Sequence, residues 1–461
     1  MAGRLNRRWI AGASALGVSG TATWGIRRPS LMPWPAWVGP VVTGAVALAA
    51  AAATWAAVDT LAQARSRPRL LVRRPALVLG VTAGTLAAGA LARSLVLPRL
   101  EQGGRERDAG LCDPPASTLV SGSSDSQVSY SSLGREGARF VHTATPAEQI
   151  QHVLGRSAVA EPVRVFVGVE SGSSVEHRVE LAISELRRTG AFDRSMLLIQ
   201  APAGSGYANP TPVQVLEIAT AGDCASVAVG YGLLPSFLSL DRVELATRTQ
   251  RALLDAIDAE LSQRPVERRP RVLLYGESLG ARVQQRAITP REMVARDVHS
   301  ALWVGTPGGR DSDRFRDQLT ESPVIVDRPQ QLPDPLPTPH PRVWFLEHDG
   351  DPVVRLRRDL MHRRPVWLAQ RPRGRHVPDD MGWMPVITWI QVMIDTLFAT
   401  HVVPGEFDSR GHDYRADLGA VVTAAFDLDL PEGASMRLEE SLRGMEIARA
   451  AMFESDPSES K

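Results

Sequence analysis

Gly276-Glu277-Ser278-Leu279-Gly280 marks a sharp turn in the chain. The apolar run Val272–Tyr275 precedes it, and a stretch with helical periodicity follows it. A serine between two glycines, where a strand passes into a helix, is the pattern of a nucleophile elbow. A Cβ at either glycine would crowd the strand or the helix, which is why both positions need glycine. We expect this turn to hold the Ser278 hydroxyl at the carboxyl end of a parallel sheet.

Composition excludes several classes of function. The length of 461 residues exceeds that of one ordinary domain. A content of 44% hydrophobic and 22% charged residues is typical of a globular protein. The net charge of +1 gives no broad basic field for nucleic acid. Lys461 is the only lysine, so neither a P-loop nor a Schiff-base lysine is present. No metal motif occurs, and we predict neither a metal nor a cofactor.

Three uncharged apolar stretches open the chain: Trp9–Ile26, Trp34–Val58 and Pro75–Ala92. A membrane-spanning helix needs about 20 apolar residues, and tryptophans near the stretch ends fit the membrane interface. We predict a transmembrane region over residues 1–98 with about three spans. A buried Ala-rich helical hairpin is the alternative. The arginines before the first stretch and between the second and third place those segments in the cytoplasm. Three spans then leave the rest of the chain outside the cytoplasm.

Residues 99–132 are polar and rich in Gly and Ser, and they are predicted to be a linker. Residues 133–453 then alternate strand and helix patterns, and residues 454–461 are expected to form a disordered tail. Thr145-Pro146-Ala147-Glu148 is typical of a capping box. The alternation predicts an α/β fold with a mostly parallel sheet and helices on both faces. The expected strands are Val163–Val169, Ser195–Gln200, Ser226–Val229, Val272–Tyr275, Ser300–Val304 and Val343–Leu346.

An elbow serine needs an acid and a histidine later in the chain. The last predicted strand ends in Glu347-His348-Asp349-Gly350-Asp351-Pro352. We choose Asp351 because a carboxylate in a loop just past a strand end can reach a nearby histidine. Asp349 and Glu347 are its rivals, and the segment also suits a simple turn.

Four histidines follow: His362, His376, His401 and His412. The first two lie in arginine-rich sequence, and His401 ends an apolar run. His412 lies on a predicted loop, which is where a general base above the strand ends would be expected. Spacing therefore favours His412 and leaves His401 open.

An oxyanion needs two N–H donors. Leu279, at the start of the helix, supplies one. The loop around Gly204 and Ser205 is the expected source of the second, and Glu170-Ser171-Gly172 is the rival loop. Cys112 and Cys224 are the only cysteines, and the sequence leaves open whether they pair.

Six stretches of the chain together carry a family resemblance: Leu133-Gly134-Arg135-Glu136-Gly137, Val165-Phe166-Val167-Gly168, Arg188-Thr189-Gly190-Ala191-Phe192-Asp193, Gly276-Glu277-Ser278-Leu279-Gly280, Asp351-Pro352-Val353 and Gly411-His412-Asp413-Tyr414. With them, the chain resembles the actinobacterial membrane-anchored α/β-hydrolase family, in which a membrane domain precedes a divergent hydrolase domain. The resemblance implies Ser278, Asp351 and His412 as the catalytic triad.

These observations predict a membrane-anchored serine hydrolase of the esterase or lipase type. Its substrate would be a small-molecule or lipid ester, with a thioester as a further candidate. The expected partners are this substrate and the lipid bilayer, and no nucleic acid is expected. An acyltransferase would use the same triad, because only the acceptor differs. A non-catalytic membrane scaffold on the same fold is the rival from another class.

Overall fold

The computed structural model of the protein describes residues 29–34, 38, 40–42, 98–235, 239–400, 402–403 and 405–454. These residues form two compact units. The larger unit comprises Arg99–Arg355 and the described residues from Thr400 onward, and the smaller one joins Leu356–Ala399 to the described residues up to Pro98. The predicted spans 9–26 and 75–92 lie outside the described residues, as does most of 34–58. Within the described ranges, no helix has the length and apolar character that crossing a bilayer requires.

The described part of the larger unit contains one sheet of seven parallel strands in the order β1-β3-β2-β4-β5-β7-β6. Most strand residues are buried on both sides, as expected for a parallel sheet covered on both faces. The strands are β1 Val163–Val167, β2 Met196–Ala201, β3 Cys224–Val229, β4 Arg271–Glu277, β5 Val298–Val304, β6 Val324–Val326 and β7 Val343–Leu346. All six predicted strands are present, and β6 was not predicted.

Helices cover both faces of this sheet. Gly276 in β4 contacts the helix that follows it, while its neighbours Tyr275 and Glu277 face Asn209, which begins a helix on the other side. The helices of this unit are α1 Gly134–His142, α2 Ala147–Leu154, α3 Val175–Arg188, α4 Pro210–Ala219, α5 Val243–Ser262, α6 Leu279–Ala287, α7 Pro290–Ala295, α8 Arg310–Arg316, α9 Pro352–Arg355, α12 Arg415–Ala425 and α13 Ala434–Glu454. The predicted fold class is therefore confirmed for this unit.

The predicted capping box at Thr145 is wrong. Helix α2 begins after Pro146 without a side-chain cap. The Thr145 backbone N–H and hydroxyl both donate to Glu217 Oε2, at 3.0 and 2.6 Å. Glu217 is fully buried beside Arg164, and its carboxylate needs these donors more than the exposed helix end does.

Part of the predicted linker packs onto the sheet. Leu111, Val120, Val128 and Tyr130 are buried, and Val120 bridges to Arg164 in β1. The serines nearby have a structural use, since Ser121 and Ser126 donate to the buried Glu185 carboxylate. A polar composition in this segment thus reflects partners for a buried charge.

The smaller unit contains helices α10 Val366–Ala369 and α11 Ile387–Phe398. Its apolar cluster includes Leu31, from the segment before the second predicted span. The Leu31 N–H and the Trp34 indole N–H both donate to the Asp395 carboxylate, at 3.0 and 2.5 Å. Burial raises the pKa of Asp395 to about 6 against the opposing effect of these hydrogen bonds. Residues 30–34 are therefore anchored to α11.

The two cysteines do not pair. Cys112 is exposed, and its thiol contacts the Ala109 carbonyl at 3.2 Å. Cys224 begins β3, where burial raises the pKa of its thiol. Both are free thiols.

Candidate active site

Ser278 sits at the end of β4 in a strained backbone conformation. Its φ of 54° and ψ of −124° are rare for any residue with a Cβ and cost on the order of 1–3 kcal/mol. A Cβ at Gly276 would lie 2.7 Å from the Ala281 nitrogen, and one at Gly280 would collide with the Ala201 carbonyl. The glycine requirement inferred from the sequence is confirmed at both positions. Strain of this kind persists only where the surrounding structure enforces it, and it clusters at functional sites.

Leu279 is the first residue of α6, directly after the serine. The first N–H groups of a helix have no partner within the helix, and the helix dipole makes this end positive. The Leu279 N–H therefore lies at the end of α6 that favours an anion beside Ser278.

Asp351 follows β7 and is fully buried. Its Oδ2 accepts from His412 Nδ1 at 2.7 Å and from the Tyr414 hydroxyl at 2.7 Å. Its Oδ1 accepts from the Val353 N–H at 2.8 Å. Three donors thus hold the carboxylate in place, and one of them is the histidine chosen from the sequence.

The rival carboxylates have other partners. Asp349 pairs with Arg355 at 2.7 Å, and its N–H donates to Asp327. Glu347 is paired with Arg316. Both carboxylates are engaged by arginines, whereas Asp351 faces an imidazole.

Among the rival histidines, His362 and His376 belong to the smaller unit, and His401 lies outside the described residues. His412 lies on the loop before α12, and its ring packs against Gly305 at the end of β5. A Cβ at Gly305 would collide with this ring and lie 2.7 Å from Tyr414 Cε2. The loop therefore folds back over the carboxyl ends of the strands.

Ser278 and His412 approach the same piece of backbone. The Ser278 N–H donates to the Val304 carbonyl at 2.9 Å, and the His412 ring packs on the next residue, Gly305. His412 Nε2 is buried and has no hydrogen-bond partner among the described residues. Because Nδ1 is bonded to Asp351, Nε2 is the nitrogen left to act on a proton.

The charges around His412 favour its protonated form. Burial alone lowers the pKa of the imidazole, but the charge and hydrogen bond of Asp351 outweigh it, with help from Glu277 and Asp413. The net result is a pKa above the ordinary value for histidine. A base with a raised pKa takes a proton from a hydroxyl more readily.

The loop chosen for the second oxyanion donor follows β2, the strand paired directly with β4. Within it, the Ala203 N–H donates to Tyr207 O and the Gly206 N–H to Ala203 O. Gly204 is packed against Ser239. The rival loop at 170–172 follows β1, three strand positions from β4 or about 14 Å away. Strand order thus favours the loop with Gly204 and Ser205.

Sequence reasoning missed Tyr414, His348 and Asp417. The Tyr414 hydroxyl accepts from the His348 N–H at 3.1 Å, and His348 Nε2 lies 2.8 Å from Asp417 Oδ2. Tyr414 ends the motif that contains His412, but nothing in its spacing indicated a contact with Asp351. No cluster of three metal-binding side chains occurs in the described ranges.

Gly305→Ala should displace the His412 ring, because the new Cβ would collide with it. An enzyme that uses this imidazole as its base should then lose at least about 100-fold in kcat, since small misplacements of a base have large effects. Gly190→Ala is the matched control: its φ of 66° resembles the 54° of Gly305, but a Cβ at Gly190 would have no atom within 4 Å. Steady-state kinetics with a thermal melt of both variants checks this. Equal kcat values in the two variants would contradict the placement of His412.

A sequence model of the alpha/beta-hydrolase family matches residues 163–437. This range includes the elbow, the strand that precedes Asp351 and the loop that carries His412. No match was found among curated proteins or among solved structures.

Proposed function

The chain belongs to the alpha/beta-hydrolase family, and we propose that it is a serine hydrolase that cleaves a carboxylic ester through an acyl-enzyme. The observation that carries the proposal is the buried Asp351–His412 pair, whose outer nitrogen has no partner among the described residues. The His412 ring contacts Gly305, the residue after the Val304 carbonyl that accepts from the strained elbow serine. Serine, histidine and aspartate in this arrangement support nucleophilic catalysis.

In the first half of the reaction, Ser278 Oγ attacks the acyl carbonyl carbon and its proton passes to His412 Nε2. Asp351 stabilises the imidazolium and holds Nδ1 in place. The Leu279 N–H, with a donor from the Gly204–Ser205 segment, binds the oxyanion. As the carbonyl re-forms, the ester C–O bond breaks and the alcohol leaves with the proton from Nε2.

In the second half, a water molecule attacks the Ser278 acyl ester. His412 Nε2 takes one water proton, and the second tetrahedral intermediate collapses to a carboxylic acid. The same proton returns to Ser278 Oγ. An acyltransferase would differ only in replacing this water by another hydroxyl or thiol.

We further propose that residues 1–98 anchor the protein in the membrane and that the hydrolase domain lies outside the cytoplasm. The support is the three apolar stretches and the arginines that flank them. An anchored site works next to lipids, so a lipid acyl ester or thioester is the substrate class that this arrangement favours.

Hydrolysis of p-nitrophenyl esters of increasing acyl length tests the proposal. The full-length protein should release p-nitrophenol, and Ser278→Ala should reduce kcat by at least about 10,000-fold. Ser195→Ala removes an exposed hydroxyl just before β2 and should leave kcat unchanged. Folded protein without activity on any ester or thioester would instead support a non-catalytic scaffold.

A further inference from the structure

A second histidine–aspartate pair, His348 and Asp417, lies next to the Asp351–His412 pair. His348 Nε2 is 2.8 Å from Asp417 Oδ2, and His348 Nδ1 is 3.3 Å from the Gly411 carbonyl. His348 is 1% exposed and Asp417 5%. A carbonyl oxygen only accepts hydrogen bonds, so Nδ1 is the donor in the contact with Gly411.

The contacts of His348 converge on the residues that flank His412. Its ring donates to the carbonyl of Gly411, the residue before His412. Its backbone N–H donates to the Tyr414 hydroxyl, which in turn donates to Asp351 Oδ2. The His348 and Tyr414 rings also stack, with centroids 3.9 Å apart.

These contacts join two loops that meet in the proposed site. His348 is on the loop after β7, which also carries Asp351, whereas Gly411 and Tyr414 are on the loop that carries His412. The Asp351–His412 hydrogen bond is therefore one of several links between the loops. A long loop held by one bond alone would leave the imidazole free to turn away, since Nε2 has no partner among the described residues.

We propose that Asp417 and His348 form a positioning pair for His412: Asp417 orients the His348 ring, and that ring fixes the Gly411–His412 peptide so that Nδ1 stays on Asp351 and Nε2 faces Ser278. The bond from Asp417 sets which way the ring points, as a carboxylate does for a functional histidine. The expected effects of this pair on kcat and on the pH profile rest on the proposed function.

His348→Gln and Asp417→Asn test the pair. The asparagine keeps an oxygen that can accept from Nε2 but loses the charge. His340→Gln is the control, because His340 lies just before the same strand β7, and its Nε2 contacts the Ala425 carbonyl at the far end of α12. The control substitution therefore lies at the amino-terminal end of β7, whereas His348 lies at its carboxyl end.

With p-nitrophenyl esters, both test variants should lower kcat at least about tenfold, with KM within about twofold. The acid limb of kcat/KM should also move to lower pH. When His412 is held less firmly on Asp351, the hydrogen bond that raises the pKa of His412 weakens, and that pKa falls. His340→Gln should show neither change.

A proton NMR spectrum provides a readout that needs no activity. The Nδ1 proton shared with Asp351 should give a low-field resonance in the wild type and in His340→Gln, and His412→Ala identifies it by its loss. That resonance should be broadened or absent in the two test variants. If the wild type is inactive but the resonance is still lost only in the test variants and in His412→Ala, the proposed function is contradicted and the positioning role is supported.

Any one of three results would overturn the positioning role. These are a wild type without the resonance, test variants that fold and keep the resonance, and a His340→Gln control that loses it as well. Should His348→Gln fail to fold, Asp417→Asn decides the matter, since its side chain is nearly the same size.

Discussion

His412→Ala should lower kcat on a p-nitrophenyl ester by about 10⁵- to 10⁶-fold. In the proposed mechanism His412 takes the Ser278 proton, and without it the hydroxyl would stay a weak nucleophile. KM should change little, because the ring packs on Gly305 and Asp351 and the effect falls on the chemical step. Steady-state kinetics of wild type and variant measures this directly.

Two further variants make this result specific. His152→Ala removes an exposed histidine from α2 and should leave kcat unchanged. The double variant Ser278→Ala/His412→Ala should be no slower than either single variant, because the two residues act as one unit. Multiplicative losses in the double variant would mean that the serine and the histidine act independently.

Asp351→Asn should lower kcat by about 10⁴-fold. The carboxamide can present its NH₂ group to His412 Nδ1, which favours the ring tautomer with the proton on Nε2. That tautomer cannot accept the Ser278 proton. The loss is smaller than for His412→Ala because the base itself remains in the site.

Asp349→Asn is the matched control for this substitution. Asp349 lies two residues away and pairs with Arg355, so its loss should affect stability more than kcat. A kcat reduced about 10⁴-fold by Asp349→Asn and unaffected by Asp351→Asn would reverse the assignment of the acid.

The pH profile gives an independent check on the same carboxylate. The base works only when unprotonated, so kcat/KM should fall as the pH drops through the raised pKa of His412. The wild-type midpoint should therefore lie above the ordinary histidine value of about 6.5. Removing the Asp351 charge should lower the midpoint, and a midpoint that stays in place would contradict the ion pair.

Residue patterns predicted the larger unit well, for physical reasons. Strands such as Val343–Leu346 are buried on both faces, and their unbroken apolar runs are visible in the sequence. The elbow around Ser278 can be predicted from the sequence because only glycine fits at positions 276 and 280. The sequence favours Asp351 over its neighbours because a late strand ends just before it.

Other features depend on contacts between distant residues, which no local pattern encodes. Thr145 has the spacing of a cap but bonds Glu217, 72 residues away. Strand β6 has only three residues, too few for a periodicity. The catalytic histidine of such a triad is expected after the acid, so His348, which precedes Asp351, is not a candidate from the sequence. Only the folded loops bring His348 to the Gly411 carbonyl.

Mass spectrometry of the full-length protein after reaction with a fluorophosphonate tests the central claim most directly. An activated serine displaces fluoride and keeps the phosphonyl group, and peptide mapping identifies the modified residue. The adduct should lie on Ser278, disappear in Ser278→Ala and become scarce in His412→Ala. A folded protein without the adduct, or one modified on another residue, would contradict a catalytic Ser278.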